Sequence, residues 1–197
     1  PLSSMGSDIA DLNNDGWQDI IVTEMFPESE ERVKRTATYE SYDFFQFKLK
    51  QDYYYQYMRN MVHINNGDGT FSEMGQQLGL HATDWSWGGL MFDMDNDGLK
   101  DFFVATGIMK DLTDQDYIAF LGDENTMQQM LNGKKFDYHE FVDKMTSTPV
   151  PNYAFKNLGN LKFENHAEDF GLEGPGFSNG AAYADLDNDG DLDLVVN

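Results

Sequence analysis

Asp185-Leu186-Asp187-Asn188-Asp189-Gly190-Asp191-Leu192-Asp193 is one of three near-copies of an acidic loop in this chain. The others are Asp93-Met94-Asp95-Asn96-Asp97-Gly98-Leu99-Lys100-Asp101 and Asp11-Leu12-Asn13-Asn14-Asp15-Gly16-Trp17-Gln18-Asp19. Carboxylates at this density repel one another unless a cation sits among them. A tight turn with glycine in sixth place lets positions one, three and five converge on one point. A backbone carbonyl at position seven and a carboxylate at position nine then complete an oxygen-only shell. Charged oxygen ligands suit Ca²⁺ better than Zn²⁺ or copper, and Mg²⁺ rarely takes an all-protein cage.

The candidate ligands are therefore Asp11, Asn13, Asp15, Trp17 and Asp19 in the first loop. In the second they are Asp93, Asp95, Asp97, Leu99 and Asp101, and in the third Asp185, Asp187, Asp189, Asp191 and Asp193. Trp17, Leu99 and Asp191 act through their backbone carbonyls, so up to three structural Ca²⁺ are expected. Asn13 leaves the first loop one carboxylate short, and this loop is expected to bind most weakly. An ordinary acidic surface turn is the alternative, since Asp, Asn and Gly are turn residues. Three copies with acidic positions one, five and nine argue against it.

An EF-hand shares the first six positions but needs a bidentate Glu at position twelve and a helix on each side. Position twelve is Val22, Val104 and Val196, which excludes both the EF-hand and the dockerin. Ile20-Ile21-Val22, Phe102-Phe103-Val104 and Leu194-Val195-Val196 follow position nine, and such runs suit buried strands. Position-nine Asp is expected to close the shell in two-oxygen fashion.

The loops begin 82 and 92 residues apart, and the likeness extends around them. Asn60-x₄-Asn65-x-Gly67-x₃-Phe71-x₇-Gly79-Leu80 returns as Asn152-x₄-Asn157-x-Gly159-x₃-Phe163-x₇-Gly171-Leu172, again shifted by 92. Ser86-x-Gly88 returns as Ser178-x-Gly180 and Ser4-x-Gly6. Fixed-period similarity marks a repeat architecture. Each unit reads as a strand entering the acidic loop, a strand leaving it, and a hairpin. The hairpins pair 61–65 with 70–73 through Asn66-Gly67-Asp68-Gly69, and 153–157 with 161–165 through Leu158-Gly159-Asn160. Four strands per unit repeated about an axis make the blade of a β-propeller.

These residues resemble a known family. Gly88-x₄-Asp93-x-Asp95-x-Asp97-Gly98-x₂-Asp101-Phe102-Phe103-Val104 is similar to the FG-GAP or VCBS repeat. So is the preceding run Asn65-x-Gly67-x-Gly69-Thr70-Phe71-x-Glu73 with Gly79-Leu80. That family includes the calcium-loop propeller of integrin α subunits and bacterial proteins carrying ASPIC/UnbV domains. Trp85-Ser86-Trp87 and Ala181-Ala182-Tyr183-Ala184 most resemble the large secreted bacterial members. The resemblance implies a propeller of about seven blades.

The expected fold is all-β with helical insertions, a partial β-propeller with two complete four-stranded blades plus half of a third. The first blade would span 1–79 with a helical insertion at about 24–59, and the second 80–171 with an insertion at about 107–151. The third would start at 172 and run to 197. In the first insertion Tyr42, Phe45 and Leu49 predict an amphipathic helix near 38–51. In the second, Asp111-Leu112-Thr113-Asp114 reads as a helix cap. Tyr117, Ile118 and Leu121 fit one helical face. Phe136, Phe141, Val142 and Met145 fit another, with Gly133 between the helices and Pro149 and Pro151 returning the chain to strand. The many aromatics of the first insertion are expected to bury it against the propeller body. A surface for carbohydrate or peptide is the alternative.

The formal charge is −22, and three bound Ca²⁺ would bring it to −16. Such acidity repels phosphates and argues against nucleic acid as a partner. Hydrophobic residues make up 40% of the chain, enough for a packed core, and there is no cysteine. No membrane span is read in the sequence. Pro1 is no initiating methionine and Asn197 falls inside a strand, so the chain reads as a piece of a longer protein. The expected partners are the remaining blades of the parent propeller and an extracellular carbohydrate or protein ligand. Weak oxygen-ligand calcium sites fill where calcium is about millimolar. The expected location is accordingly extracellular, at the cell surface or in the periplasm of a bacterium.

The functional reading is a binding or adhesion module with structural calcium. The alternatives are the propeller portion of a lyase-like enzyme acting on polysaccharide, or a scaffold only. His63, His81, His139 and His166 are scattered without a nucleophile motif. No catalytic residue is therefore assigned and no enzyme activity is expected. His63 is read as a packing residue and His166 as a surface residue.

Overall fold

The computed structural model describes residues 1–37, 39–131 and 138–197. Among the described residues ten strands form three antiparallel sheets. The first sheet holds β1 (Ser7–Ala10), β2 (Asp19–Val22), β3 (Met61–Asn65) and β4 (Phe71–Glu73), in that order. The second holds β5 (Ser86–Phe92), β6 (Asp101–Thr106), β7 (Tyr153–Asn157) and β8 (Phe163–Asn165) in the same order. The third pairs β9 (Ala181–Ala184) with β10 (Asp193–Val196). In each sheet an acidic loop joins the first strand to the second.

β6 is buried along its whole length because it lies between two cores. Strand side chains alternate faces with a period of two. Phe102 and Val104 join Leu12, Ile21, Val62, Leu80 and Met91 in the core toward the first sheet. Phe103 and Ala105 join Phe92, Ala154 and Ala167 in the core toward the third, where Leu194 and Val196 pack. Alternation thus appears in the sequence as one unbroken apolar run, as expected for a strand covered on both faces.

β5 packs beside β1 on one side and β9 on the other, so the first strands of the sheets are neighbours. The Asp8 carboxylate accepts the Met91 N–H at 2.6 Å, and the Thr23 hydroxyl donates to the Ser86 carbonyl at 3.0 Å. This approach is too close for side chains at two places. A Cβ on Gly6 would lie 2.8 Å from the Trp87 carbonyl oxygen, and one on Gly89 would lie 2.8 Å from atoms of Phe102 and Thr23.

The first insertion contains α1 (Glu30–Thr36) and α2 (Tyr42–Lys50). The helix expected near 38–51 is thus shorter, because the Ser41 hydroxyl caps it by accepting the Phe44 N–H. Thr38 lies outside the described residues. α1 was not anticipated, since Val33 is its one aliphatic residue and it has no apolar stripe. The expectation that the aromatics would be buried is overturned. Tyr39, Tyr42, Phe44, Phe47, Tyr53, Tyr54 and Tyr55 are all exposed, Tyr54 to 85%. α2 buries no residue.

The second insertion contains α3 (Gln115–Gly122), α4 (Glu124–Leu131) and α5 (Tyr138–Lys144). Asp114, at the end of the expected cap segment, caps α3, accepting the N–H groups of Asp116 and Tyr117. Tyr117 is buried as its periodicity suggested, but Ile118 is exposed. Phe141 is buried, whereas Gly133 and Phe136 lie outside the described residues.

An ion-pair network joins the two insertions. The Arg32 guanidinium on α1 donates to Asp84 at 3.1 Å and to Asp111 at 2.9 Å. Arg35 donates to Asp114 at 2.7 Å. Thr146 and Thr148 add hydroxyl donors to Asp111. Asp111 and Asp114 are almost fully buried, so neutralisation by α1 is what makes that burial tolerable. Among the described residues no helix is long and apolar enough to cross a membrane.

Candidate metal centre

The three loops share one backbone course. Position four is left-handed in each (Asn14 φ 57°, Asn96 φ 61°, Asn188 φ 63°), and so is position six (Gly16 φ 91°, Gly98 φ 88°, Gly190 φ 97°). Asparagine tolerates this region because its short amide bonds locally, and glycine has no Cβ to clash. The role of position-four Asn went unread in the sequence, although its recurrence in all three copies carried the signal.

The turn is closed by its own carboxylates. Asp93 accepts the N–H of Asp97 at 3.1 Å and of Gly98 at 2.8 Å. Asp11 does the same for Asp15 and Gly16, at 3.0 and 2.8 Å. Asp185 accepts from Gly190 at 3.2 Å. Position five accepts the N–H of position seven throughout: Asp15 from Trp17, Asp97 from Leu99, and Asp189 from Asp191.

In the second and third loops positions one, three and nine come together. Ligand atoms of Asp93, Asp95 and Asp101 lie within 4.8 Å of one another, as do those of Asp185, Asp187 and Asp193. Among the described residues these are the acidic groups with metal-holding geometry. The first loop has only two carboxylates, Asp11 and Asp19, at these three positions. There the Asn13 amide donates to Asp15 at 2.9 Å and so offers a proton where its neighbours offer a carboxylate.

Position nine has a second duty. Asp101 is fully buried, its Oδ2 accepting the Met94 N–H and its Oδ1 the Asn157 N–H, both at 2.8 Å. Asp19 repeats this with Leu12 and Asn65, also at 2.8 Å. Burial pushes both carboxyls above the usual range, working against the backbone N–H bonds that favour the charged form. Each carboxylate thereby ties its loop to the end of the third strand in its sheet. Asp193 makes the Leu186 contact alone and is exposed.

Adjacent loops are also tied to one another. The Asn14 amide donates to the Gly98 carbonyl at 3.0 Å. The Asn157 amide donates to the Leu12 and Lys100 carbonyls, each at 2.9 Å.

One further group enters the second loop. The Lys156 ammonium, from β7, pairs with Asp95 and lies 3.5 Å from Asp97. The Asp95 carboxylate holds it above the usual lysine range. The other oxygen of Asp95, Oδ1, is buried with no hydrogen-bond partner among the described residues. An all-oxygen donor set with one orphaned buried oxygen fits a hard cation.

Residues 50–104 match the FG-GAP-like repeat family. The chain carries an FG-GAP-like repeat. The matched span begins at the last residue of α2, crosses the β3–β4 hairpin and ends in β6, so it contains the whole second loop. The FG-GAP-like repeat thus straddles two sheets, taking β3 and β4 of the first and β5 and β6 of the second. The loops at Asp11 and Asp185 repeat its acidic pattern outside that span. No curated protein matches the chain.

Proposed function

We propose that the chain is a segment of a calcium-stabilised β-propeller that serves as a binding module outside the cytoplasm. Its blades are the two four-stranded sheets, the β9–β10 sheet begins a third, and further blades of the parent protein are its partners. The observation that carries the calcium reading is the convergence of Asp93, Asp95 and Asp101, repeated by Asp185, Asp187 and Asp193 in the next sheet. Bound calcium neutralises the clustered carboxylates and pins the first strand to the second strand of each blade. Asp95 Oδ1 then gains the partner it lacks. Sites of this oxygen type in extracellular modules fill at about 10⁻⁴–10⁻³ M calcium, which favours a secreted, surface or periplasmic location.

The surface that would meet a ligand is the aromatic first insertion. A groove of about 750 Å³ there is lined by Tyr39, Tyr42, Phe45, Tyr57, Arg59 and His81, among others. Exposed aromatic rings beside polar groups suit an extracellular carbohydrate or protein segment. Melting the chelator-stripped chain across a CaCl₂ series tests the calcium reading. The transition rises with calcium in the native protein and rises less in Asp185→Ala/Asp187→Ala. A calcium-independent melt would remove the reading.

A further inference from the structure

β7 and β3 occupy the same place in their sheets, and their residues correspond one by one. Asn157 matches Asn65, each giving its backbone N–H to a position-nine Asp. Lys156 therefore stands where the first sheet has Ile64. Ile64 is buried in the core, whereas Lys156 reaches the second acidic loop and pairs with Asp95 and Asp97. Among the described residues no lysine or arginine pairs with the third loop's five aspartates; its sheet has two strands here, so the strand place that Lys156 fills is not represented in it. The first loop instead relies on its own Asn13 amide. The three loops thus share a backbone but differ in what neutralises them.

We propose that Lys156 is a tethered counter-ion of the second loop, which holds this loop in its folded course without calcium and must withdraw before calcium binds there. This rests on the calcium reading above and makes the loops unequal. In this 197-residue chain the third takes up calcium with no ammonium paired to it, and the second takes it up only as the ammonium leaves Asp95 and Asp97. Glu164 lies directly opposite Lys156 in the β7–β8 ladder and is the carboxylate available to receive it. An ammonium within about 4 Å of an incoming divalent ion weakens its binding on the order of tenfold even at the dielectric of water, and more in a partly shielded loop. Coupling to the first loop follows from the Asn14 bond to the Gly98 carbonyl, which a shift of the second loop must strain.

The test uses the amide resonances of Gly16, Gly98 and Gly190 in ¹⁵N-labelled 197-residue chain, each reporting its own loop during a CaCl₂ titration. In Lys156→Met the Gly98 midpoint moves to roughly tenfold lower calcium, while that of Gly190 stays where it is in the native chain. Lys156→Arg keeps the charge and keeps Gly98 near its native midpoint, which separates electrostatics from packing. Without calcium, Lys156→Met melts below the native chain, because Asp95 and Asp97 lose their cation. An unchanged Gly98 midpoint in Lys156→Met, with Gly190 still responding, overturns the proposal and leaves the calcium reading standing. If none of the three glycines responds in either protein at about 20 mM CaCl₂, far above the range of such sites, both fall together.

Discussion

Asp101 accepts the backbone N–H of Asn157 at 2.8 Å, joining an acidic loop to the end of a strand two places along the sheet. The same carboxylate takes the Met94 N–H, so one buried side chain satisfies two backbone donors that no other strand reaches. Asp19 makes the equivalent pair of bonds with Asn65 and Leu12. The loop geometry therefore rests on position nine before any cation is considered.

Replacing Asp101 by Ala strands both donors in a buried setting, and each costs about 1–3 kcal/mol. Urea unfolding in excess chelator should register a loss of about 2–6 kcal/mol for Asp101→Ala. Asp193→Ala removes one contact from an exposed site and should stay within about 0.5 kcal/mol of the native chain. Equal losses in the two variants would remove the staple role.

The clasp between the insertions gives a second expectation. Arg32→Ala leaves Asp84 and Asp111 buried without their cation, and breaking such a pair costs about 3–5 kcal/mol. Hydrogen exchange should show α1 and α3 opening together, while β6 amides keep the protection of the global core. Protection lost evenly over all elements would count against a local clasp.

Acid should weaken the fold before the aspartates are reached. Burial pushes His63 and His81 below the usual histidine range of about 6.5, outweighing the pull of Glu73. The folded state thus prefers both rings neutral, and the unfolded chain binds the extra protons first. Stability from this source is complete above the unfolded histidine value and is lost as pH falls below it toward the folded values. His63→Gln/His81→Gln should flatten the fall in melting temperature across that window. An unaltered slope would assign the acid sensitivity elsewhere.

Solvent-facing aromatics of the first insertion should matter little to stability. Tyr54→Ser should change unfolding by no more than about 0.5 kcal/mol. Phe102→Ala, in the centre of the core between the sheets, should cost about 3–5 kcal/mol. A large effect at Tyr54 would mean that its ring packs in solution.

The sequence declared its strands plainly because the acidic loops fix where each pair begins and ends. Asp101–Thr106 and Met61–Asn65 lie where the pattern put them. The loop geometry was legible in part: alternating carboxylates before glycine led to an expected meeting of positions one, three and five, whereas the second and third loops gather positions one, three and nine. Helix α1 was not legible, because it is held by Arg32 and Arg35 reaching a distant segment and not by an apolar stripe. The exposure of Tyr53, Tyr54 and Tyr55 was misread, as composition cannot distinguish a buried aromatic cluster from a displayed one. Lys156 was passed over because its target lies 61 residues away in the chain, brought near by the pairing of β7 with β6.

Isothermal titration of the folded, chelator-stripped chain with CaCl₂ tests the central claim most directly. Saturable uptake with dissociation constants of about 10⁻⁴–10⁻³ M is expected, with one site lost in Asp185→Ala/Asp187→Ala. A folded chain that takes up no calcium at about 10 mM CaCl₂, ten times the upper end of that range, would contradict the account.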